Sequence, residues 1–283
     1  MELSDLRIFK AVAEQGGITR AAQSLHRVQS NVTTRVKQLE QRLGLRLFHR
    51  QGRRLVLSSE GRLLLEYADR LLELSSEAQA ALRGHAPQGV LKIGALESTA
   101  ATRLPAVLAR YHREYPAVRV ELVTATSAAL IDKVLHEDLE AAFVVEPFPA
   151  RGLQAVHVFT EELVLITARD HPRIQTAADL AQRTLLAFTT GCAYRRRLEA
   201  WLGRSKMAPD RVMEYGSYHA IVACSAAGAG IAVVPRSVLR ASGMEAQLAI
   251  HPLPKKIAVA KTMLVWRRGH ESMPLAALRD ALA

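Results

Sequence analysis

The chain has 283 residues, of which 49% are hydrophobic and 23% are charged, and its formal net charge is +11. This composition predicts one to three folded domains with buried cores and argues against an intrinsically disordered chain. The positive excess favours a polyanionic partner.

Targeting and cysteine signals are both weak. The opening "MELSDLRIFK" has no basic patch followed by an apolar run, so no signal peptide is expected. The longest apolar stretch, residues 220–234, is shorter than a bilayer span and is interrupted by polar and glycine residues. Cys192 and Cys224 are too few for a disulfide framework and lack metal-type spacing. We therefore expect a cytoplasmic protein with reduced thiols and without a membrane partner, a metal or a cofactor.

Two helices are predicted at the start of the chain. Residues 2–15 carry apolar residues at helical spacing, and the glycine pair at 16–17 ends that helix. Thr19 is then predicted to be the N-cap of a second short helix, "RAAQSLH". The small apolar residues of this second helix allow close packing.

The stretch "HRVQSNVTTRVKQLEQRLG" predicts a third helix, with Ser30 as its N-cap and Gly44 at its end. Its apolar residues form one stripe that is predicted to face the core: Val32, Val36, Leu39 and Leu43. Amides, hydroxyls and cations occupy the opening turns instead. Side chains of this kind bind base edges and phosphates, so these turns fit a DNA major groove.

A basic hairpin follows the third helix. Leu45 and Leu47, and then Leu55 and Leu57, alternate with polar residues, and "QGRR" lies between them as a turn. Residues 1–58 contain eleven basic and four acidic residues, a net charge of +7. Three helices with a basic hairpin predict a winged helix-turn-helix that binds DNA.

A long helix is predicted next, capped by Ser58 or Ser59 and reaching about Gly84. Its apolar residues form a seam at steps of three and four: Leu64, Tyr67, Leu71, Leu74, Ala78 and Leu82. An apolar seam on a helix of this length favours a partner helix and hence a dimer.

From Val90 onward, short apolar strands alternate with helical segments, which is typical of a parallel α/β sheet. A second run of the same type begins at "EELVLITA", and the chain ends with "TMLVWRR" and "PLAALRDALA". Two α/β halves that share crossing strands predict two lobes with a cleft between them. Such clefts bind small molecules.

The sequence resembles the LysR-type transcriptional regulators, most specifically over "FKAVAEQGGITRAAQSLHRVQSNVTTRVKQLEQRLGLRLFHRQGRRLVLSSEG". "GALESTAATRLP", "GCAYRRRLEAWL" and "YGSYHAIVACSAAGAGIAVVPRSVL" further resemble a subgroup that includes an enteric putrescine-utilisation regulator. The resemblance implies a winged helix-turn-helix at residues 1–58 and a linker and dimerisation helix at 59–88. It also implies a two-lobed effector domain, like that of periplasmic binding proteins, at 89–283. Its first lobe is expected at about 90–162 and 267–283, and its second lobe at about 163–266.

We expect the DNA contacts to lie in the helix-turn-helix and the hairpin. The predicted residues are Thr19, Arg20, Gln29, Ser30, Asn31, Thr33, Thr34, Arg35, Lys37, Arg50, Arg53 and Arg54. Gln29, Asn31 and Arg35 are among those expected in the groove, whereas the arginines of the hairpin are expected at phosphates or in the minor groove. Solvation alone is the alternative for the basic residues.

By the same resemblance, loops that follow strands supply the effector contacts. The predicted residues are Ser98, Thr99, Thr126, Glu146, Thr190, Cys192, Ser217 and His219. Several of these hydroxyls are equally expected to serve only as helix N-caps. The acidic groups of Glu97 and Glu146 favour an amino or diamine ligand over a purely anionic one, and the effector is expected to be an amine or an amino or carboxylic acid metabolite.

The function predicted is that of a transcriptional regulator. Its partners would be promoter DNA, a small-molecule effector, further copies of itself up to a tetramer, and RNA polymerase. The alternative is a ligand-binding protein whose DNA binding is not controlled by the ligand. No phosphate-binding Gly-rich loop, metal motif or nucleophile elbow is visible in the sequence, so an enzyme is not expected. An architectural DNA binder would not need the α/β region.

Overall fold

The computed structural model describes residues 1–51, 54–82, 86–180 and 184–282. They form an N-terminal unit, Met1–His85, and a C-terminal unit, Ala86–Ala283. No helix in these ranges is long and apolar enough to cross a membrane.

The N-terminal unit begins with three helices, α1 (Leu3–Gln15), α2 (Ile18–Ser24) and α3 (Gln29–Leu43). Gly16 and Gly44 end α1 and α3 in the left-handed conformation, with φ of 61° and 67°. Both predicted N-caps are wrong, because α2 starts after Gly17 and α3 starts after Val28. Thr19 and Ser30 lie inside the first turns of these helices, so their hydroxyls are not used as caps.

Two short strands, β1 (Phe48–Gln51) and β2 (Arg54–Leu57), pair antiparallel as the predicted hairpin. Leu45 and Leu47 lie before β1 rather than in it. The Leu47 N–H donates instead to Glu40 Oε1 of α3, at 2.8 Å. The hairpin is therefore joined to α3 by a side chain as well as by the intervening chain.

The long helix α4 spans Ser59–Leu82. The choice between two caps is resolved by one bond, because Ser58 Oγ accepts the Gly61 N–H at 2.8 Å. Leu64, Leu65, Ala68 and Leu72 pack against the core of the unit, which contains Leu6, Phe9, Val12, Val32, Val36 and Leu39. The predicted α3 stripe is buried except at Leu43, which is 36% exposed.

The apolar seam of α4 differs from the predicted one. Leu64 faces the core, and its neighbour Leu63 is exposed. The exposed apolar side chains on this helix are Leu63, Tyr67, Leu71 and Leu74, at 55%, 52%, 38% and 56%. Ala78 is also exposed, and the side chain of Leu82 lies outside the described residues. One face of α4 packs on its own unit, and a second apolar face remains at the surface.

Gly61 is expected to be intolerant of any side chain. A Cβ at this position would lie 2.2 Å from the Leu47 carbonyl oxygen and 3.0 Å from Leu57 Cδ2. Because the first obstacle is backbone, Gly61→Ala should lower the free energy of unfolding by about 1–3 kcal/mol. Urea denaturation followed by circular dichroism would measure this change.

Gly203→Ala is the control, since nothing lies within 4 Å of its Cβ position. That substitution should stabilise α8 (Ala193–Arg204) or leave it unchanged, and equal midpoints for the two variants would contradict the packing argument.

The C-terminal unit begins with β3 (Gly89–Ala95), α5 (Glu97–Thr102), α6 (Leu104–Glu114), β4 (Val118–Thr124), α7 (Ser127–Leu135) and β5 (Ala141–Val145). A single helix is predicted where α5 and α6 lie. The break between them is at Arg103, immediately before the first turn of α6, which contains Pro105. Proline fits the first turn of a helix, but it has no N–H to donate to the preceding turn, so Pro105 marks the start of α6 rather than continuing α5.

The remaining elements are the 16-residue β6 (Leu153–Ala168), β7 (Thr184–Phe188), α8 (Ala193–Arg204), β8 (Arg211–Tyr215), α9 (Tyr218–Ala226), β9 (Ala232–Pro235), α10 (Arg236–Ser242), β10 (Leu248–Pro252), α11 (Lys255–Ala258), β11 (Val259–Arg267) and α12 (Met273–Leu282). Short 3-10 turns lie at Ala177–Asp179 and Glu245–Gln247. The sequence does not predict β10 and α10, because neither has a clear hydrophobic period.

Two lobes share one curved mixed sheet, with strand order β10-β6-β11-β5-β3-β4 and with β9 also paired to β6. The β3 strand runs parallel to β4 and β5, whereas β6 and β11 run antiparallel to their neighbours. The sheet is therefore not purely parallel as predicted. Its first lobe contains β3, β4, β5, β11 and the first part of β6. The second contains the rest of β6, from Leu163, with β9 and β10, and a two-stranded parallel sheet formed by β7 and β8.

The chain re-enters the first lobe earlier than predicted. The expected boundary is at 267, but β11 begins at Val259 and pairs with β5 from Thr262 to Trp266. Leu264 and Trp266 pack in the core of the first lobe, beside Leu91 and Phe143. Both connections between the lobes are thus strands of the same sheet.

Candidate DNA-binding surface and ligand cleft

The opening turns of α3 present the predicted polar residues to solvent. The exposed predicted contacts are Gln29, Ser30, Asn31, Thr34 and Lys37 on α3, together with Thr19 and Arg20 on α2 and Arg50 on β1. No side chain caps the N-terminus of α3. A helix end of this kind attracts phosphate, and the exposed side chains beside it can bind base edges.

Two residues near this surface differ from expectation. Thr33 is half-buried, and its hydroxyl donates to the Gln29 carbonyl at 2.9 Å, so its proton is used within the helix. Arg27 is absent from the predicted contacts but is exposed, with Nη1 lying 3.5 Å from Asn31 Oδ1. Its position directly before α3 is the sequence signal that could have identified it. Arg53 lies outside the described residues, as does the side chain of Arg54.

Arg35 has a partner inside the protein. Its Nη1 lies 2.9 Å from Asp5 Oδ1, and Arg42 Nη2 lies 2.7 Å from Asp5 Oδ2. The Asp5 side chain is fully buried, whereas the two guanidinium groups are 36% and 43% exposed. Arg35 therefore joins α3 to α1, while part of its guanidinium remains exposed beside the predicted DNA-binding residues.

Burial alone would raise the pKa of Asp5, but its surroundings reverse that effect. The Glu2 N–H, Arg42 and Arg35 stabilise the carboxylate and hold the pKa of Asp5 below its usual value. Asp5 is therefore ionised at neutral pH and supplies the negative charge between two cations.

A cavity of about 380 Å³ lies in the C-terminal unit, between segments of the two lobes. Its wall is formed by Leu96, Glu97, Thr124, Ala125, Thr126, Ala129, Phe188, Thr189, Thr190, Cys192, Ala193, Tyr194, Gly216 and Tyr218. This volume is in the range of sites for small metabolites. The Phe188 and Tyr218 rings are in contact, with centroids 4.5 Å apart.

The predicted effector residues divide into three groups. Thr126, Thr190 and Cys192 line the cavity. Ser98 and Thr99 are buried on α5, directly after the lining residue Glu97. The remaining three, Glu146, Ser217 and His219, are not among the lining residues.

The roles of some predicted residues are partly structural. Thr126 Oγ1 accepts the Ala129 N–H at 3.4 Å and so caps α7. The Glu146 carbonyl accepts a bond from Arg197 Nη2 at 3.1 Å. The lining residues beyond the predicted contacts include Glu97, Phe188, Tyr194 and Tyr218. Aromatic residues carry no periodic signal for a ligand wall, so only the fold identifies them.

Electrostatics in the cavity are dominated by Glu97. Burial raises the pKa of Glu97, while the Tyr218 N–H and His219 partly oppose the shift. Burial also raises the pKa of Cys192, so its thiol is protonated and poorly nucleophilic. Among the described residues, no group of three or more His, Cys, Asp or Glu side chains could hold a metal ion.

Comparison with known families decides the identity of both units. Residues 3–62 match the model described as bacterial regulatory helix-turn-helix protein, lysR family, and residues 84–283 match the LysR substrate binding domain. The chain belongs to the LysR family of transcriptional regulators.

Individual LysR relatives resemble the chain over nearly its whole length. The Bacillus subtilis uncharacterized HTH-type transcriptional regulator YusT is 40% identical over 95% of this chain and 90% of that protein. The B. subtilis HTH-type transcriptional regulator GltR is 37% identical over 95% and 91%. Full-length CbnR, solved in complex with its target DNA, is 26% identical, with a TM-score of 0.67 over 100% of this chain and 99% of that one.

Family membership confirms the predicted fold class, a winged helix-turn-helix followed by a linker helix and a two-lobed effector domain. LysR proteins are DNA-binding regulators rather than enzymes, and they respond to small-molecule effectors and form oligomers.

Proposed function

We propose that this LysR regulator binds promoter DNA through the opening turns of α3 and the β1–β2 hairpin. It would sense a small metabolite in the cleft of its C-terminal unit. The observation that carries the proposal is the division of α3 into two faces. Val32, Val36 and Leu39 are buried on one face, and the exposed amides, hydroxyls and Lys37 occupy the other.

Each part of this surface suits a different DNA contact. Gln29 and Asn31 carry amides that can bind adenine in the major groove. Lys37 and Arg50 are exposed cations without a role in the core, and they suit phosphates. CbnR, which shares this fold, has been solved with its target DNA. We take residues 1–58 as the DNA-binding head, 59–88 as the linker helix and 89–283 as the effector domain.

The effector would be an amine or an amino or carboxylic acid metabolite. The cavity contains an acidic group, Glu97, together with threonine hydroxyls, within an otherwise largely apolar wall. The resemblance to a subgroup with a putrescine-utilisation regulator places putrescine among the ligands to test. Binding between lobes would shift their relative orientation and hence the geometry of the bound DNA.

The protein is also proposed to self-associate through α4. The exposed seam of α4, with Tyr67, Leu71 and Leu74, suits a partner helix from a second copy. We propose a tetramer built from such dimers, acting in the cytoplasm and contacting RNA polymerase at the promoter. Two heads on one dimer would bind two half-sites.

Asn31→Ala should lower the preference for the operator over random DNA by about 1–3 kcal/mol, because an amide that binds a base edge would be lost. Lys37→Ala is the matched control on the same helix. It should weaken binding to both DNAs about equally and reduce the salt dependence. Fluorescence anisotropy at several salt concentrations measures both effects. Equal losses on both DNAs for Asn31→Ala would place Asn31 at phosphate instead.

The proposed function itself is tested by footprinting the protein on the DNA upstream of its own gene, with and without a metabolite panel. Protection of a discrete site that a metabolite extends, shortens or bends would support it. No preference over random DNA at physiological salt would overturn it.

A further inference from the structure

One apolar side chain lies within the polar surface at the start of α3. Val28 is 69% exposed, more than any other large hydrophobic side chain in the part of the chain that the structure describes. Residues 26–31 are all exposed, and the other five residues of this run are polar. Val28 does not belong to the apolar core of the N-terminal unit. Packing within the unit therefore does not explain this valine.

Val28 is also poorly suited to its place in the backbone. It is the N-cap of α3, with φ of −74° and ψ of 141°, and its side chain makes no capping hydrogen bond. Serine, threonine, asparagine and aspartate are preferred at an N-cap because their side chains accept an N–H of the first turn, whereas valine is among the least favoured residues. Helix stability and solvent exposure both favour a polar residue here. A valine at this point indicates a contact with another molecule.

The surroundings of Val28 indicate the kind of contact. Its carbonyl accepts the Asn31 N–H at 3.1 Å, so the valine lies one turn before an amide that is proposed to bind a base edge. A protein partner would need a wider apolar patch. Between residues 4 and 42, all of which the structure describes, Val28 is the only exposed large hydrophobic residue. A nucleic acid fits this mixture of polar groups and one apolar group better than a protein does.

The major groove of DNA offers one apolar group to such a side chain. All four bases present hydrogen-bonding groups there, and thymine adds a 5-methyl group next to its O4. An adenine–thymine pair therefore presents N7 and N6 of adenine, which an amide can bind, together with a methyl group that an apolar side chain can contact. Asn31 and Val28 carry these two complementary chemistries one turn apart.

We propose that Val28 recognises DNA by packing on the 5-methyl group of a thymine, beside the base edge bound by Asn31. This inference rests on the proposed function in which the opening turns of α3 enter the major groove. It adds an apolar determinant of specificity to a surface that otherwise makes polar contacts. In this arrangement α3 lacks an N-cap hydrogen bond because the position serves thymine recognition.

The test removes the methyl groups from the DNA and keeps its base pairing. The DNA upstream of the protein's own gene is amplified once with dTTP and once with dUTP, and a random fragment is prepared in the same two forms. Fluorescence anisotropy measures the Kd of the full-length protein for each fragment. The dUTP form of the upstream fragment should be bound about fourfold more weakly for each methyl group buried, or about 15-fold more weakly when two heads each bury one. The two forms of the random fragment should be bound equally.

Two variants separate thymine recognition from helix stability. Val28→Ala shortens the side chain without supplying a cap, since alanine and valine are both poor N-caps. It should keep the wild-type Tm and bind the two forms of the upstream fragment within about twofold of each other. Val28→Ser supplies a preferred N-cap, so it should raise the Tm and also lose the preference for the dTTP form. A merely structural role for Val28 would leave that preference unchanged in both variants.

Val156→Ala is the matched control, because it makes the same change at a valine of β6 that is 40% exposed. Val156 lies in the C-terminal unit and is not among the described residues that line the cavity. This control should keep the wild-type preference for the dTTP form of the upstream fragment.

Two outcomes would overturn the inference: the wild type binds both forms of the upstream fragment equally, or Val28→Ala keeps the wild-type ratio between them. The proposed function is judged separately, by the preference of the wild type for the dTTP upstream fragment over the dTTP random fragment. A protein that keeps this preference and is insensitive to the methyl groups would remain a regulator, and only the role of Val28 would be discarded.

Discussion

Replacing Leu71 and Leu74 by glutamate is expected to convert the protein to a monomer and to weaken operator binding at least about 100-fold. Both side chains are exposed, at 38% and 56%, on the face of α4 that does not pack on its own unit. Two linked heads bind two half-sites with a high effective concentration, and a monomer loses that gain without losing any DNA contact. Sedimentation velocity gives the mass, and fluorescence anisotropy gives the affinity.

The matched control for this pair is Ser76→Glu with Gln79→Glu. It adds the same charge to exposed positions of the same helix without removing apolar surface. The control protein should keep the oligomeric state of the wild type and lose only a small, salt-dependent part of its affinity. A Leu71→Glu/Leu74→Glu protein that sediments like the wild type would show that the seam is not the dimer interface.

Loss of the Asp5 carboxylate is expected to destabilise the N-terminal unit by about 2–4 kcal/mol. Asp5→Ala leaves Arg35 and Arg42 near each other without the buried charge that both contact. This loss of unfolding free energy is expected near the lower end of the range for buried ion pairs, because both guanidinium groups reach solvent. Urea denaturation of Asp5→Ala and the wild type measures the difference, and a change below about 1 kcal/mol would contradict it.

The same ion pairs predict how stability depends on pH. The folded pKa of Asp5 is lower than its unfolded value, which is near 3.9. On acidification the unfolded chain therefore takes up the proton first, and the stabilisation is lost as the pH falls below about 4. The stability difference between the wild type and Asp5→Ala should be constant above about pH 5 and shrink below pH 4. A difference that persists at pH 2 would assign the effect to packing.

Arg35→Ala separates the structural contact from base readout. If Arg35 mainly holds Asp5, this variant lowers the Tm and weakens binding to operator and random DNA together. Lys37→Ala, on the same helix, should leave the Tm unchanged. A folded Arg35→Ala protein with an unchanged Tm and a selective loss of operator binding would support the predicted groove contact of Arg35.

Local sequence patterns determined the order and type of most elements. The α3 period alone separated the buried Val32 and Leu39 from the exposed Gln29 and Asn31, because a helix of fixed pitch leaves no other arrangement. The glycines at 16 and 44 fixed where α1 and α3 end, since both adopt positive φ. Local patterns of the same kind predict the hairpin, the long α4 and the change to alternating strands and helices after Val90.

The tertiary structure decided what depends on residues distant in the chain. Asp5 and Arg35 are paired only because α1 packs across α3, and no local pattern distinguishes a cation that meets a buried carboxylate from one that meets solvent. Which face of α4 is exposed likewise depends on which of its leucines pack into the core of the N-terminal unit. In the cleft, the sequence indicates the hydroxyls that follow strands. Glu97 and Tyr194 line the same cavity only because β6 and β11 connect the two lobes. Periodicity reports which side of an element is buried, whereas a site is formed by contacts between elements.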